Sequence, residues 1–298
     1  MPSSEMGIVT VTYNSAEVLA PFLECVNGQQ DADYCLIVVD NASTDRTTEI
    51  VRALAGSRTI LIKNEDNLGF AEGSNQGIDY CRRNGIDWIL LINNDTEFDS
   101  IFFTSLLRAA ARLQARVLVP RIAYHARPDL TWFAGGHFSW WRGFQGRHQG
   151  EGAPRQEHES ARIVTFASGC CMLVHRSVFD SIGTFDPAYF VYWEDADFCW
   201  RLKRHGIAVY YDPSIELTHK VSSLTRGPQA PFSVRYYSRN QIYFLRKHFS
   251  RPVVWINVAL IRLKNRVRRW LNLDDAASAT LRRAAISEGL RMQPHQRR

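Results

Sequence analysis

The chain has 298 residues, 36 Lys and Arg against 30 Asp and Glu, and is 45% apolar, 12% aromatic and 22% charged, with 18 Gly and 11 Pro. This composition excludes disordered, collagenous and low-complexity architectures and suffices for one large core with an appendage. The net charge of +6 is unevenly placed: residues 246–298 hold 13 Lys and Arg against 3 Asp and Glu, a balance of +10 that leaves the first 245 residues at −4.

That asymmetry argues against nucleic acid as a partner of the main body and points the tail toward an anionic surface, a membrane face first. The start, Met1 to Thr12, lacks a basic leader and enters a β-type run at once, and no window offers the roughly 18 uninterrupted apolar residues of a span, so the expected location is cytoplasmic. Cys25, Cys35, Cys81, Cys170, Cys171 and Cys199 form no C-x-x-C pair and read as thiols of a reducing compartment.

In chain order, Gly7–Tyr13, Leu36–Asp40, Thr59–Lys63, Trp88–Ile92 and Val117–Val119 read as strands, separated by helical patterns over Ala16–Val26, Arg46–Ala55, Ala71–Arg83 and Ser100–Leu113. Such alternation predicts βαβ units and a mostly parallel sheet with its ligand site beyond the carboxyl ends of the strands. The strands run into Thr12-Tyr13-Asn14-Ser15, Asp40-Asn41-Ala42-Ser43-Thr44-Asp45, Asn64 to Phe70 and Asn93-Asn94-Asp95. Singly each loop reads as helix capping, with Ser43 or Thr44 before Arg46; four on one edge line a crevice with donors and carboxylates.

From Ile122 to Glu159 the periodicity fails, which predicts an irregular insert with a hairpin around Gly135-Gly136. Strands follow at Ile163–Phe166 and Cys171–His175, then a short helix from Ser177, a helix from Glu194 to Gly206, and strands at Ile207–Tyr211 and Ile215–Thr218 closed by His219.

A crevice of this kind suggests a nucleotide. There is no G-x-G-x-x-G after the first strand and no G-x-x-x-x-G-K-[ST], which removes a dehydrogenase and a P-loop ATPase. Asp40 at a strand end suits a base or ribose. Asp95, with His219 as a further ligand, suits Mg²⁺ or Mn²⁺ against a diphosphate.

Val9 to Asn14, Val38 to Asp45, Asn67 to Ala71, Asn93 to Asp95, Gly169 to Met172 and Trp193 to Arg201 together resemble the motif series of family 2 inverting glycosyltransferases, over about residues 7–248. The resemblance implies a GT-A α/β fold, a Rossmann-like nucleotide-binding sheet with β structure on the acceptor side, a nucleotide-sugar donor and a divalent cation. It assigns Thr12, Asn14, Asp40, Asn67, Gly69, Asn93 and Asp95 to the nucleotide-sugar, Asp95 and His219 to the metal, and Asp195 to the catalytic base. Asn93-Asn94-Asp95 departs from an acidic D-x-D. Glu194, Asp197 and Arg201 are assigned to the acceptor or to orienting roles, against the bland alternative that the acidic residues only favour a helix N-terminus. His175, His205 and His248 read as structural.

Tyr236 to Asn240 with Arg246-Lys247-His248 resembles the rhamnosyltransferase-like branch, or else is a basic helix on a solvated face. Pro252–Leu271 sets Ile256, Leu260, Leu263, Val267 and Trp270 on one helical stripe with Arg262, Arg266 and Arg269 beside it. This is either a core-facing helix or one lying on an anionic membrane. The reading is a GT-A domain over 1–248 and a basic amphipathic helical tail over 249–298. Its expected reaction moves a sugar, first dTDP-rhamnose and second a UDP-hexose or UDP-galactofuranose, to a hydroxyl of a glycan or lipid-linked glycan in bacterial cell-surface polysaccharide synthesis. A nucleotidyltransferase and a non-catalytic glycan-binding module are the alternatives of other classes.

Overall fold

The computed structural model describes residues 6–155, 159–221, 229–271, 273 and 275–294; the last four residues of the basic tail lie outside them. Strands β1 (Met6–Thr12), β2 (Tyr34–Asp40), β3 (Thr59–Lys63) and β4 (Trp88–Ile92) run parallel in the order β3-β2-β1-β4. Being covered on both faces, β1, β2 and β4 are almost continuously apolar, as a parallel sheet requires. The covering helices are α1 (Leu19–Asn27), α2 (Thr47–Leu54) and α3 (Gly69–Arg83). Glycines let α3 lie directly on β1: a Cβ at Gly73 or Gly77 would come within 2.9 Å of Val11 or 2.3 Å of Val9.

Beyond β4 the sheet turns mixed. After β5 (Thr96–Phe98) and α4 (Phe102–Leu113), β6 (Val117–Tyr124) pairs with β7 (Arg127–Phe133), and β8 (Gly136–Ser139) with β9 (Gln145–His148) in a separate ribbon. Then come β10 (Arg162–Val164), β11 (Cys171–His175), α5 (Arg176–Ile182), α6 (Glu194–Arg204) and β12 (Val209–His219). The order β10-β12-β6-β11-β4 completes the sheet, with β11 antiparallel to β4. Three helices follow: α7 (Pro231–His248), α8 (Arg251–Trp270) and α9 (Ala276–Arg291).

Several expectations are corrected here. The stretch from Ile122 to Glu159 is not irregular: β6 runs on to Tyr124 because its out-of-pattern residue, Arg121, is buried at 1% exposure with Thr131 Oγ1 at 2.9 Å and Glu216 beside it. The hairpin turns at Trp140–Phe144, not at Gly135-Gly136. The two expected strands around Pro213 are one, β12, carrying an irregularity between Asp212 and Glu216 where Asp212 Oδ1 accepts from Ser214 N and Oγ. The segment from Tyr236 is no solvated helix, since Arg239 and Asn240 are 9% and 0% exposed. On α8, Val254, Asn257 and Val258 are buried, while Ile256, Leu260, Leu263, Val267 and Trp270 face outward, so that stripe is not core-facing.

Candidate functional site

The crevice opens between the carboxyl ends of β1 and β4, where chain connections leave on opposite sides of the sheet. Thr12 Oγ1 donates to Asp40 Oδ1 at 2.9 Å, and Ser43 N and Oγ donate to the same carboxylate at 3.1 and 2.5 Å. Asn14, at φ 51°, accepts from Thr44 N at 2.8 Å while its own N–H donates to Ser43 Oγ at 2.9 Å. Ser43 and Thr44 therefore knit one loop to another and do not cap α2; that task falls to Asp45, which accepts from Thr47 N at 3.0 Å. Asn67 Oδ1 accepts from Gly69 N at 2.9 Å, and Gly69 sits at φ +83°.

In Asn93-Asn94-Asp95 the three residues differ. Asn94 is 2% exposed and donates to Val11 O at 2.8 Å, which locks β4 to β1, whereas Asn93 is half-buried at the crevice, its N–H donating to Cys170 O at 2.9 Å. Asp95 Oδ1 lies 3.1 Å from His219 Nε2, each side chain 7% exposed. Burial alone would lower the imidazole's pKa, but Cys170 and Asp95 outweigh it and raise it to about 10. A carboxylate oxygen from the turn between β4 and β5 and an imidazole nitrogen from the end of β12 fit a divalent cation completed by phosphate oxygens. Among the described residues no third His, Cys, Asp or Glu is placed to complete a three-ligand metal group. Cys170 and Cys171 are buried on or beside β11, and burial raises both thiols, as packing residues require.

The carboxylates at the start of α6 occupy three environments. Asp195 is half-buried and accepts from Gly169 N at 3.2 Å and Ala196 N at 2.7 Å; burial raises its pKa to about 6 against those donors. Burial, then the charge of Asp195, drives Glu194 well above the carboxylate range. Asp197 is fully buried yet held well below that range. Burial opposes ionisation there, but His248 at 2.8 Å, Arg201 at 2.8 Å and Lys247 at 2.8 Å overcome it. Arg201 also donates to the carbonyls of Ile182, Gly183 and Thr184. Asp197 and Arg201 are thus mutually committed and enclosed.

Residues that the sequence reading passed over hold this motif in place. Val191 N donates to Tyr189 O at 2.7 Å, closing a γ-turn of the rare, strained hand about Phe190 (φ 64°, ψ −64°), and Tyr192 and Trp193 follow at φ 66° and 73°. Asn240 Nδ2 lies 2.8 Å from the carbonyls of Tyr189, Val191 and Tyr192, and Arg239 Nη2 reaches Ala188 O and Tyr189 O. The signal was the Tyr236 to Asn240 run, whose alternative reading as a solvated face misplaced it.

Residues 7–183 match the family described as glycosyl transferase family 2. The chain is 31% identical over 273 residues to N-acetylglucosaminyl-diphospho-decaprenol L-rhamnosyltransferase of Mycobacterium tuberculosis, covering 84% of this chain and 88% of that one. It is 24% identical to dTDP-rhamnosyl transferase RfbF of Shigella flexneri, covering 83% and 81%. Its fold is similar to GalNAc-T7, solved with UDP, GalNAc and Mn²⁺, at TM-score 0.64 and 11% identity over 97% of this chain and 56% of that one. It is also similar to a Pyrobaculum calidifontis mannosyltransferase with GDP-Man and Mn²⁺, at 0.56 and 13% over 98% and 76%. The mixed α/β fold is GT-A-like, as the motif series implies.

Proposed function

This chain belongs to glycosyl transferase family 2, and from that premise we propose that it transfers L-rhamnose from dTDP-rhamnose, with inversion, to a hydroxyl of a lipid-diphosphate-linked glycan in surface-polysaccharide synthesis. Membership sets aside the nucleotidyltransferase and the non-catalytic module. The names of the two relatives support the sugar, the nucleotide and the lipid acceptor. The observation that carries the mechanism is the adjacency of Gly169 and Cys170. Gly169 N–H holds Asp195, while Cys170 O accepts from Asn93 N and the Cys170 thiol contacts His219. A base and a diphosphate site are thereby held one residue apart.

Thr12, Asn14 and Asp40 line the nucleoside end, Asn67 and Gly69 shape the loop opposite, and Asn93 faces the ribose side. Asp95 and His219 would hold a Mg²⁺ or Mn²⁺ ion, which when bound neutralises the charge of the departing diphosphate. Asp195 takes the proton of the acceptor hydroxyl as that oxygen bonds to the anomeric carbon from the face opposite the leaving group. The sugar–phosphate bond breaks and dTDP leaves. A base with a pKa of about 6 is ionised at neutral pH and still strong enough to accept that proton. An acceptor anchored in a bilayer places the enzyme at the membrane face.

The test is a thermal-shift panel of dTDP-rhamnose, a UDP-hexose, UDP-galactofuranose and GDP-mannose with and without Mn²⁺, followed by turnover on an N-acetylglucosaminyl-diphospho-lipid. dTDP-rhamnose should give the largest shift and be consumed. Asp195→Asn should keep the shift and lose transfer by about two to four orders of magnitude. Consumption of a UDP-sugar with none of dTDP-rhamnose would overturn the donor assignment.

A further inference from the structure

We infer that the outward face of α8 and the Trp140–Trp141 turn form one surface that lies on an anionic lipid bilayer. The proposal deepens the reading of a lipid-linked acceptor and rests on it. Helix α8 is apolar on two sides. Its inner side packs Val254 and Val258 against Ile242 and Leu245 of α7 and Ile286 of α9. Its outer side presents Ile256 at 60% exposure, Leu260 at 52%, Leu263 at 56%, Val267 at 44% and Trp270 at 80%, recurring every three or four residues, and nothing among the described residues covers them. A core helix has no reason to keep such a stripe, and an exposed patch of this kind marks an interaction site.

The turn between β8 and β9 joins the same surface. Gln241 Nε2 donates to Arg142 O at 2.8 Å, and a Cβ on Gly143 would stand 3.6 Å from Ile261 of α8, so the turn abuts the α7–α8 pair. Its two indoles stack at 3.7 Å and remain 59% and 72% exposed. Partial burial and the charges of Arg142, Arg268, Arg282 and Arg147 together hold Lys264 below the usual lysine range, which places turn and helices in one positive field.

Charge decides the occupant. From Arg251 to Leu271 there are six Lys and Arg and no Asp or Glu. A second copy seated on this face would set that field against itself, whereas anionic headgroups compensate it. Exposed indoles suit the headgroup region, which is amphipathic as they are. No helix among the described residues is long and apolar enough to cross a membrane, so the contact is one that lies in the interface plane. Helix α7 separates this surface from the carboxylates, packing on α8 by Ile242 and Leu245 and holding the loop before Asp195 by Arg239 and Asn240.

The experiment is co-sedimentation of the full chain with phosphatidylglycerol-containing and purely phosphatidylcholine vesicles at low and high salt, with dTDP binding by calorimetry as a parallel readout. Binding should need the anionic lipid and fall with salt. Arg262→Glu, Lys264→Glu and Arg266→Glu combined should lower partitioning more than about a hundredfold. Trp140→Ser with Trp141→Ser, and Leu260→Ser with Leu263→Ser, should each lower it about tenfold or more at unchanged charge, with dTDP affinity unchanged in every variant. Absence of parental binding at low salt, or undiminished binding by both Ser variants, overturns the surface. So does a parental dimer in sedimentation velocity that the Leu variants dissolve. Absence of dTDP binding by the parent would instead count against the donor reading, which keeps the two failures distinct.

Discussion

Asn240→Ala tests whether α7 clamps the loop that launches the proposed base. The Asn240 amide is completely buried and its two N–H protons serve three carbonyls. Tyr189 O keeps Arg239 Nη2 at 2.9 Å after the substitution, so Val191 O and Tyr192 O are the acceptors left without that donor. Two such acceptors cost about 2–6 kcal/mol if the loop stays in place. Phe190, Tyr192 and Trp193 store about 1–3 kcal/mol of strain each, and leaving their positive-φ geometry releases it. The cheaper response is therefore for the loop to relax and carry Asp195 away from Gly169. Stability in urea should fall by about 1–3 kcal/mol, and kcat should drop more than about tenfold because the base is displaced from its near-attack position. The dTDP dissociation constant should hold, since Thr12, Asp40 and Asn93 sit on other elements. Asn240→Asp, which turns a carboxylate toward the carbonyls, should be worse. A variant with parental kcat and parental stability would refute the clamp.

Gly69→Ala should destabilise the protein by about 2–5 kcal/mol, summing a left-handed residue and overpacking, because the new Cβ would meet the Phe190 ring at 2.5 Å and its carbonyl at 2.6 Å; a urea midpoint equal to the parent's would dismiss that contact. Asp95→Ala should weaken dTDP binding about tenfold or more with Mn²⁺ present and match the parent in chelator, and equal calorimetric affinities in Mn²⁺ would remove Asp95 from the site. Raised to about 6, Asp195 is increasingly protonated below that pH and unable to accept a proton, so kcat/KM should fall with acidity below about pH 6 and level off above it. A profile flat from pH 5 to 8 in the parent would exclude Asp195 as the base.

The parallel half of the sheet was legible because continuous apolar runs followed by polar loops leave a buried parallel strand little alternative, and Gly7–Tyr13 and Leu36–Asp40 fall within a residue or two of β1 and β2. Asp95 and His219 could be named as metal-ligand candidates from their chemistry and the motif resemblance, but nothing local in the sequence brings them together. In the chain the two are 124 positions apart, and the pairing of β12 with β5 brings Thr96 opposite His219. Hydropathy failed wherever a polar residue is buried with its partner. Arg121 interrupts an apolar strand and is satisfied by Thr131 and Glu216, and Arg239 and Asn240 look like a wetted helix face but bind carbonyls from a loop about 50 residues earlier. Nor could periodicity say which side of α8 packs, because both sides carry apolar residues. Composition and pattern determined the parallel strands β1 to β4, the loops that line the crevice and the charge of the tail, since these depend on neighbours in sequence. Which carboxylate is ionised, which helix is a clamp and which apolar face is left open were decided by long-range contacts, because burial and hydrogen-bond partners are properties of the packed chain.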